Sequence, residues 1–222
     1  MRIIKPYYEI MTDISPFGTY ELEQIERAAR TCYKSEDKIT DQAESAKKLI
    51  RKLIEKGHEA MLEHSSLTVK FICDRGVSHE LVRHRMASFA QESTRYCNYS
   101  DDKFESQITV IEPCYLKNGT EAYGEWFNAM VEAEYRYFNL LGLGLSPQEA
   151  RAVLPNSLKT EVVMTANYRE WRHIFDLRCN RAAHPQMREL MLPLLKDLHE
   201  RIPVIFDDIY EKYLPEMETS VY

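Results

Sequence analysis

The sequence predicts an α+β fold in one domain spanning residues 1–222. Residues 66–73 alternate, with Leu67, Val69, Phe71 and Cys73 on one face and Thr68 and Lys70 on the other, which is the period of a half-buried strand. Residues 120–141 instead carry Phe127, Met130, Val131, Tyr137, Phe138 and Leu141 at helical spacing. Further strands and helices interleave with these two, without the regular β-α-β rhythm of a doubly wound sheet. No linker, repeat or low-complexity tract divides the chain.

Taken in order, residues 2–14 read as a strand entering a turn at Ser15-Pro16-Phe17-Gly18, and Thr19 caps a helix over 20–33. A second helix covers 41–56. Asp41 caps it, Ala46, Leu49, Ile50, Leu53 and Ile54 line one face, and Gly57 ends it. The strand at 66–73 is followed by a short helix over 77–84, and Gln107–Ile111 forms another strand before Pro113. The aromatic stripe of helix 120–141 reads as core or subunit interface rather than a cofactor box. Ser146-Pro147 opens a short helix through Arg151 that Pro155 stops. Residues 159–166 are strand-like and 168–179 helical. His184-Pro185 opens a last helical region to about 213, which Pro193 and Pro203 kink or break.

Hydrophobic residues make up 44% and charged residues 29%, ordinary for a soluble globular protein. The net charge of −6 argues against general nucleic-acid binding, whose footprint is a basic face. Five cysteines without a C-x-x-C pair argue against a disulfide framework and a structural zinc site, and fit a reducing cytoplasm. The N-terminus lacks the apolar core of a signal peptide, and no apolar run approaches the roughly 18 residues of a membrane span.

On this acidic background, Arg83-His84-Arg85-Met86-Ala87-Ser88-Phe89-Ala90-Gln91-Glu92-Ser93-Thr94-Arg95-Tyr96 concentrates three arginines. The run also reads as a solvated basic turn. Guanidiniums this close are otherwise stabilised by an anion among them, and arginine matches phosphate bidentately. No G-x-G-x-x-G follows a strand, so a dinucleotide pyrophosphate would be gripped by side chains, for which Arg83, His84 and Arg85 are the candidates. His58 and His64 stand six residues apart around two glutamates, the wrong spacing for H-E-x-x-H zinc binding, and no metal site is expected.

Arg-His-Arg, then Ser88 and Ser93, then Arg95-Tyr96, in this register, resembles the signature of the flavin-dependent thymidylate synthases. The resemblance runs from Arg27-Ala28-Ala29-Arg30 through His184-Pro185-Gln186. It implies helices around a twisted, largely antiparallel sheet, in a homotetramer that holds FAD between subunits. It also implies methylation of dUMP to dTMP, with 5,10-methylenetetrahydrofolate as one-carbon donor, NADPH as reductant through FAD, and tetrahydrofolate released. By this resemblance FAD is contacted by Arg83, His84, Arg85 and Gln91, by Asn167, Tyr168, Arg169 and His173, and by His58 in a His-Glu-x-x-x-Glu-His segment. The nucleotide is contacted by Glu80, Arg83, Gln91, Glu92, Ser93, Thr94, Arg95, Arg151 and Arg178. Arg151, in Ala-Arg-x-x-Leu-Pro, reaches the phosphate, and Arg178 is the catalytic arginine facing the uracil ring.

The chain departs from the family pattern in three places: Ala60 where a hydroxyl is expected, Glu80 where glutamine is common, and Ala90-Gln91 where some members carry Asn-Glu. A carboxylate at Glu80 cannot donate as an amide does. Ser93 has no histidine base at triad-like distance, and a bare hydroxyl is a weak nucleophile, so it is assigned to nucleotide binding. No cysteine has the Pro-Cys-His setting of the cysteine-dependent thymidylate synthases. Two rival readings remain: an FAD-binding paralogue without turnover, motivated by Glu80 and Ala60, and a metal-dependent hydrolase using His58, Glu63, His64 and His84.

Overall fold

The computed structural model describes residues 1–219. Its strands are β1 (Arg2–Ile4), β2 (Tyr7–Ile10), β3 (Ser66–Asp74), β4 (Ala87–Gln91), β5 (Thr109–Ile111) and β6 (Lys159–Asn167). The α-helices are α1 (Thr19–Thr31), α2 (Glu44–Glu55), α3 (Arg75–Leu81), α4 (Glu121–Gly142), α5 (Pro147–Ala150), α6 (Tyr168–Arg178), α7 (Pro185–Arg201) and α8 (Pro203–Thr219). Among the described residues, none of these helices is long and apolar enough to cross a membrane.

The main sheet is antiparallel, in the order β2-β3-β6-β4. β3 and β6 pair along their whole length, from Ser66 opposite Asn167 to Asp74 opposite Lys159. The expected alternation holds on β3, where Leu67, Val69, Phe71 and Cys73 are all buried. On β6 the same face carries Val162, Met164 and Ala166. Helices α1, α2, α6, α7 and α8 pack on this face in one core. Trp171 locks α6 onto β3 by donating its indole N–H to the Leu67 carbonyl at 3.0 Å. A smaller cluster gathers Tyr99, Ile108, Val110, Met130, Tyr137, Ala150 and Leu158 around α4. Only part of the α4 stripe enters it: Met130 and Tyr137 are buried, whereas Phe127 and Val131 are exposed.

Several boundaries move. Residues 2–14 do not form one strand. Pro6 has no N–H for a ladder, and the chain there switches from β1, parallel to β5, to β2, antiparallel to β3. Thr19 lies inside α1 and does not cap it. Gly18 stands at the N-cap with φ +65°, and Ser15, before the 3-10 turn, supplies the side-chain acceptor: its Oγ accepts from the Tyr20 N–H at 2.9 Å while Glu21 accepts from the Ser15 N–H at 3.2 Å. Asp41 sits in a 3-10 turn ahead of α2, and Thr40 and Ser45 exchange side-chain-to-backbone hydrogen bonds at 2.9 and 3.0 Å. α7 continues through Pro193, whereas Pro203 opens a new helix that extends beyond 213. The unexpected element is β4, an edge strand inside the arginine-rich run.

Candidate functional site

Asp74 begins the site. Its carboxylate accepts from the Val77 N–H at 2.7 Å and so caps α3. α3 ends in a turn that carries Arg83, His84 and Arg85 to the head of β4. On the other side, Asn167 caps α6 by accepting from the Glu170 N–H at 2.9 Å. α6 then runs past the same turn, bringing Glu170, His173 and Arg178 to it. Arg83, His84, Arg85, Glu170, His173 and Arg178 line a cleft of about 740 Å³. A neighbouring cleft of about 570 Å³ shares Met86, Glu170 and His173 and adds Asn167 and Arg169.

Arg178 is the most constrained cation in the first cleft. Its Nη1 donates to Glu80 Oε2 at 2.8 Å, its Nη2 to the Glu80 carbonyl at 3.1 Å, and its Nε to His84 Nε2 at 3.0 Å. At the last residue of α6 it also meets the negative end of the helix dipole. His84 is 5% exposed. Its Nδ1 lies 3.5 Å from Glu170 Oε1. Burial, then the charge of Arg178, then His173, hold the His84 pKa down to about 4. The imidazole is therefore neutral, with Nε2 as acceptor and the proton on Nδ1, toward Glu170. Burial raises the pKa of Glu170.

The charges of the second cleft are mostly self-paired. Arg172 binds both oxygens of Asp208, at 2.7 and 2.8 Å, together with Glu59 at 3.1 Å. Arg169 pairs with Glu63, and Lys212 with Asp176. Arg83 and Arg85 are exposed and make no ion pair or hydrogen bond through their side chains with the described residues. They are free to meet an anion in the first cleft.

The rest of the arginine-rich run follows β4 away from this cleft. Gln91 turns back to α3, its amide donating to Ser78 Oγ at 3.0 Å and to Thr160 Oγ1 at 3.2 Å. Glu92 is held by Lys159 at 2.8 Å and by the Tyr99 hydroxyl at 3.3 Å. The Ser93 hydroxyl accepts from the Arg95 N–H at 3.3 Å. Thr94 accepts from Arg151 Nη1 at 3.1 Å, which joins two segments distant in sequence. Arg95 is exposed, its guanidinium over the Tyr96 ring at 5.4 Å.

Two expected cofactor contacts lie elsewhere. Tyr168 is fully buried against Phe206, and its N–H is taken by the Ser65 carbonyl at 3.1 Å, so its side chain faces the core rather than a ligand. As the first residue of α6, it turns inward with Trp171 and Phe175. His58 lines a different, largely apolar cavity of about 610 Å³, with Ala29, Leu49, Leu53 and Met61. Among the described residues, no group of three histidine, cysteine, aspartate or glutamate side chains is placed to hold a metal ion.

Sequence reasoning passed over Glu170, Arg172 and Lys159. The Asn167-x-x-Glu170 spacing of a helix N-terminus was the available signal for the first. Nothing local marks the other two, whose partners are distant in sequence.

These features define a class: an α+β protein whose cleft is lined by arginine side chains, with no glycine-rich turn after a strand. The family model described as "Thymidylate synthase complementing protein" matches residues 19–204. A flavin-dependent thymidylate synthase of Corynebacterium aurimucosum is 36% identical, covering 89% of this chain and 85% of its own length. One from Pyrococcus furiosus is 32% identical, covering 85% of this chain and 71% of its own. One from Corynebacterium glutamicum is 31% identical, covering 89% and 84%. The chain belongs to the flavin-dependent thymidylate synthase family.

Proposed function

We propose that this protein methylates dUMP to dTMP in the cytoplasm, taking the one-carbon unit from 5,10-methylenetetrahydrofolate and electrons from NADPH through FAD, and releasing tetrahydrofolate. The observation that carries this reading is the pairing state of one cleft: Arg178 held through three of its five donors, and Arg83 and Arg85 beside it without a side-chain partner among the described residues. The relatives' shared name, flavin-dependent thymidylate synthase, supports it.

The residues present fit FAD. Two unpaired guanidiniums suit a pyrophosphate, which this chain has no glycine-rich turn to hold. Arg83, Arg85 and the Asn167–Arg169 segment would grip it, with His84 and His173 behind. When bound, FAD supplies the two electrons that turning a methylene into a methyl requires. Arg178 stabilises negative charge that develops on the pyrimidine ring, because an aimed cation in a desolvated cleft acts without reorganising. Arg95 and Arg151, with Ser93 and Thr94, hold the nucleotide phosphate at the far end of β4. Gln91 and Glu92 line the path between, and Glu80 borders the ring through its grip on Arg178.

β4 sets the Arg83–Arg85 turn and the Ser93–Arg95 turn at opposite ends of a strand that rises about 3.3 Å per residue. FAD is large and this chain has no glycine-rich dinucleotide turn, which favours a homotetramer of 1–222 domains in which neighbouring subunits complete each other's sites, with His58 serving the folate and flavin side. Light scattering at micromolar concentration tests it; a monomer that turns over would refute it.

The decisive assay supplies dUMP, methylenetetrahydrofolate and NADPH to purified protein and separates the nucleotides. The expected result is dTMP from a yellow protein with flavin absorption bands. Flavin-loaded protein that forms no dTMP would instead establish the paralogue without turnover, the reading that the sequence departures at Glu80 and Ala60 motivate.

A further inference from the structure

Arg178 ends α6 and carries a long side chain with about 2 kcal/mol of rotamer entropy. A free guanidinium there would sample many orientations. It does not, because three acceptors converge on it: Glu80 Oε2, the Glu80 carbonyl and His84 Nε2. Of these, the Glu80 carboxylate alone comes from a side chain with no other hydrogen bond or ion pair among the described residues. His84 is held independently by burial and by Glu170. Glu80 is itself only part-exposed, on the last turn of a helix whose first turn is fixed by Asp74.

A guanidinium has five N–H donors. Nε–H and one donor on each terminal nitrogen are engaged, which leaves one free donor on each terminal nitrogen. The arginine is thus oriented without being exhausted. It retains a two-pronged edge for a ligand, and that edge can be aimed only while the other three donors stay fixed.

We propose that Glu80 is a positioning residue: its carboxylate, together with the carbonyl of the same residue, holds the Arg178 guanidinium at the angle that presents its remaining donors to the pyrimidine ring. The role depends on the oxygen acceptor at Nη1 rather than on the charge of that acceptor. An amide oxygen in the same place would also accept from Nη1, while a methyl group would leave the guanidinium to swing on two acceptors. This inference rests on the thymidylate reaction proposed above, and deepens it by assigning to Glu80 a job done on the arginine rather than on the nucleotide.

The test uses full-length, flavin-loaded Glu80→Ala and Glu80→Gln beside the wild type. Crystal structures read the position directly: Arg178 should be displaced or disordered in Glu80→Ala and in place in Glu80→Gln. In steady state, Glu80→Ala should lose about tenfold or more in kcat, short of the roughly hundred- to thousand-fold typical for deleting an aimed donor outright. Glu80→Gln should stay within about threefold of wild type, because a retained acceptor keeps the donor aimed. Calorimetric titration with dUMP should give Glu80→Gln a dissociation constant within about threefold of wild type, and in Glu80→Ala the loss should fall less on the dissociation constant than on kcat, because the phosphate grip is retained. A guanidinium unmoved in Glu80→Ala overturns the proposal whatever the activity. So does Glu80→Gln being as slow as Glu80→Ala, which would make charge the operative property. A wild type that forms no dTMP sinks the proposed reaction, while the crystal structures still decide whether Glu80 positions Arg178.

Discussion

Arg178 donates its Nε–H to His84 Nε2 across 3.0 Å, so the cleft's central cation rests on a neutral histidine. A protonated His84 would have no lone pair at Nε2 and would set one cation against another. Three causes act together against that protonation, in the order burial, Arg178, His173.

The first expectation concerns pH. The His84 pKa falls from 6.5 to about 4 on folding, so between those values the unfolded chain binds a proton that the native chain refuses. Stability therefore rises with pH across this window, and acidification from 6.5 toward 4 removes on the order of 3 kcal/mol from this group at most. Below pH 4 the term is fully lost. Glu170, whose pKa burial raises, works in the opposite direction and softens the slope. Thermal melts of wild type and His84→Gln between pH 4 and 7 check it. The glutamine oxygen can accept from Arg178 but does not titrate, so the variant should show a flatter dependence. Equal slopes would remove His84 as the source.

The second concerns the unpaired arginines. Arg83→Ala with Arg85→Ala should give protein that melts near the wild-type temperature but purifies with most of its flavin absorbance gone. Exposed side chains without partners contribute little to folding. Full retention of flavin would sink their assignment as the pyrophosphate grip.

A division of labour follows between two other arginines. Arg178→Lys keeps the charge and loses the fork, and should lower kcat by about a hundred- to thousand-fold, roughly 2.7–4 kcal/mol, while retaining some dUMP binding. Arg151→Ala, which also releases Thr94, should raise KM for dUMP more than it lowers kcat, as loss of a remote phosphate grip does. Steady-state kinetics at matched flavin content separates the two. A wild-type rate in Arg178→Lys, or a loss confined to kcat in Arg151→Ala, would show the roles to be misassigned.

Gly18 offers a test of the frame. Its φ is +65°, and a Cβ there would stand 2.6 Å from Ile202 Cγ2, at the junction of α7 and α8. Gly57 has a similar φ of +69° but open space around it. Gly57→Ala should cost about 1 kcal/mol, the left-handed penalty alone. Gly18→Ala should add about 1–3 kcal/mol of overpacking. Comparing their melting temperatures checks this; equal shifts would mean that Ile202 gives way freely.

Much of the molecule was legible in the chain because its causes are local. The alternation of Leu67, Val69, Phe71 and Cys73 fixes which side of β3 is buried, whatever that face packs against. The helical spacing over 168–179 likewise places Trp171, Ile174 and Phe175 inward and leaves Arg169 and His173 outward. The register of Arg83, Ser88, Ser93 and Arg95 was sufficient to indicate the family. What the sequence could not supply were relationships that depend on where separate segments meet. β4 escaped notice because an edge strand of five residues, exposed on alternate positions, has little apolar signal until β6 lies beside it. The family resemblance of Asn167-Tyr168-Arg169 marked Tyr168 as a ligand contact, yet the direction of its Cβ at the start of α6 sends it into the core. That Arg178 is held by Glu80 and a neutral His84 was decided only when α3 and α6 packed against each other, because ion pairing depends on distance in space, and no spacing along the chain encodes that.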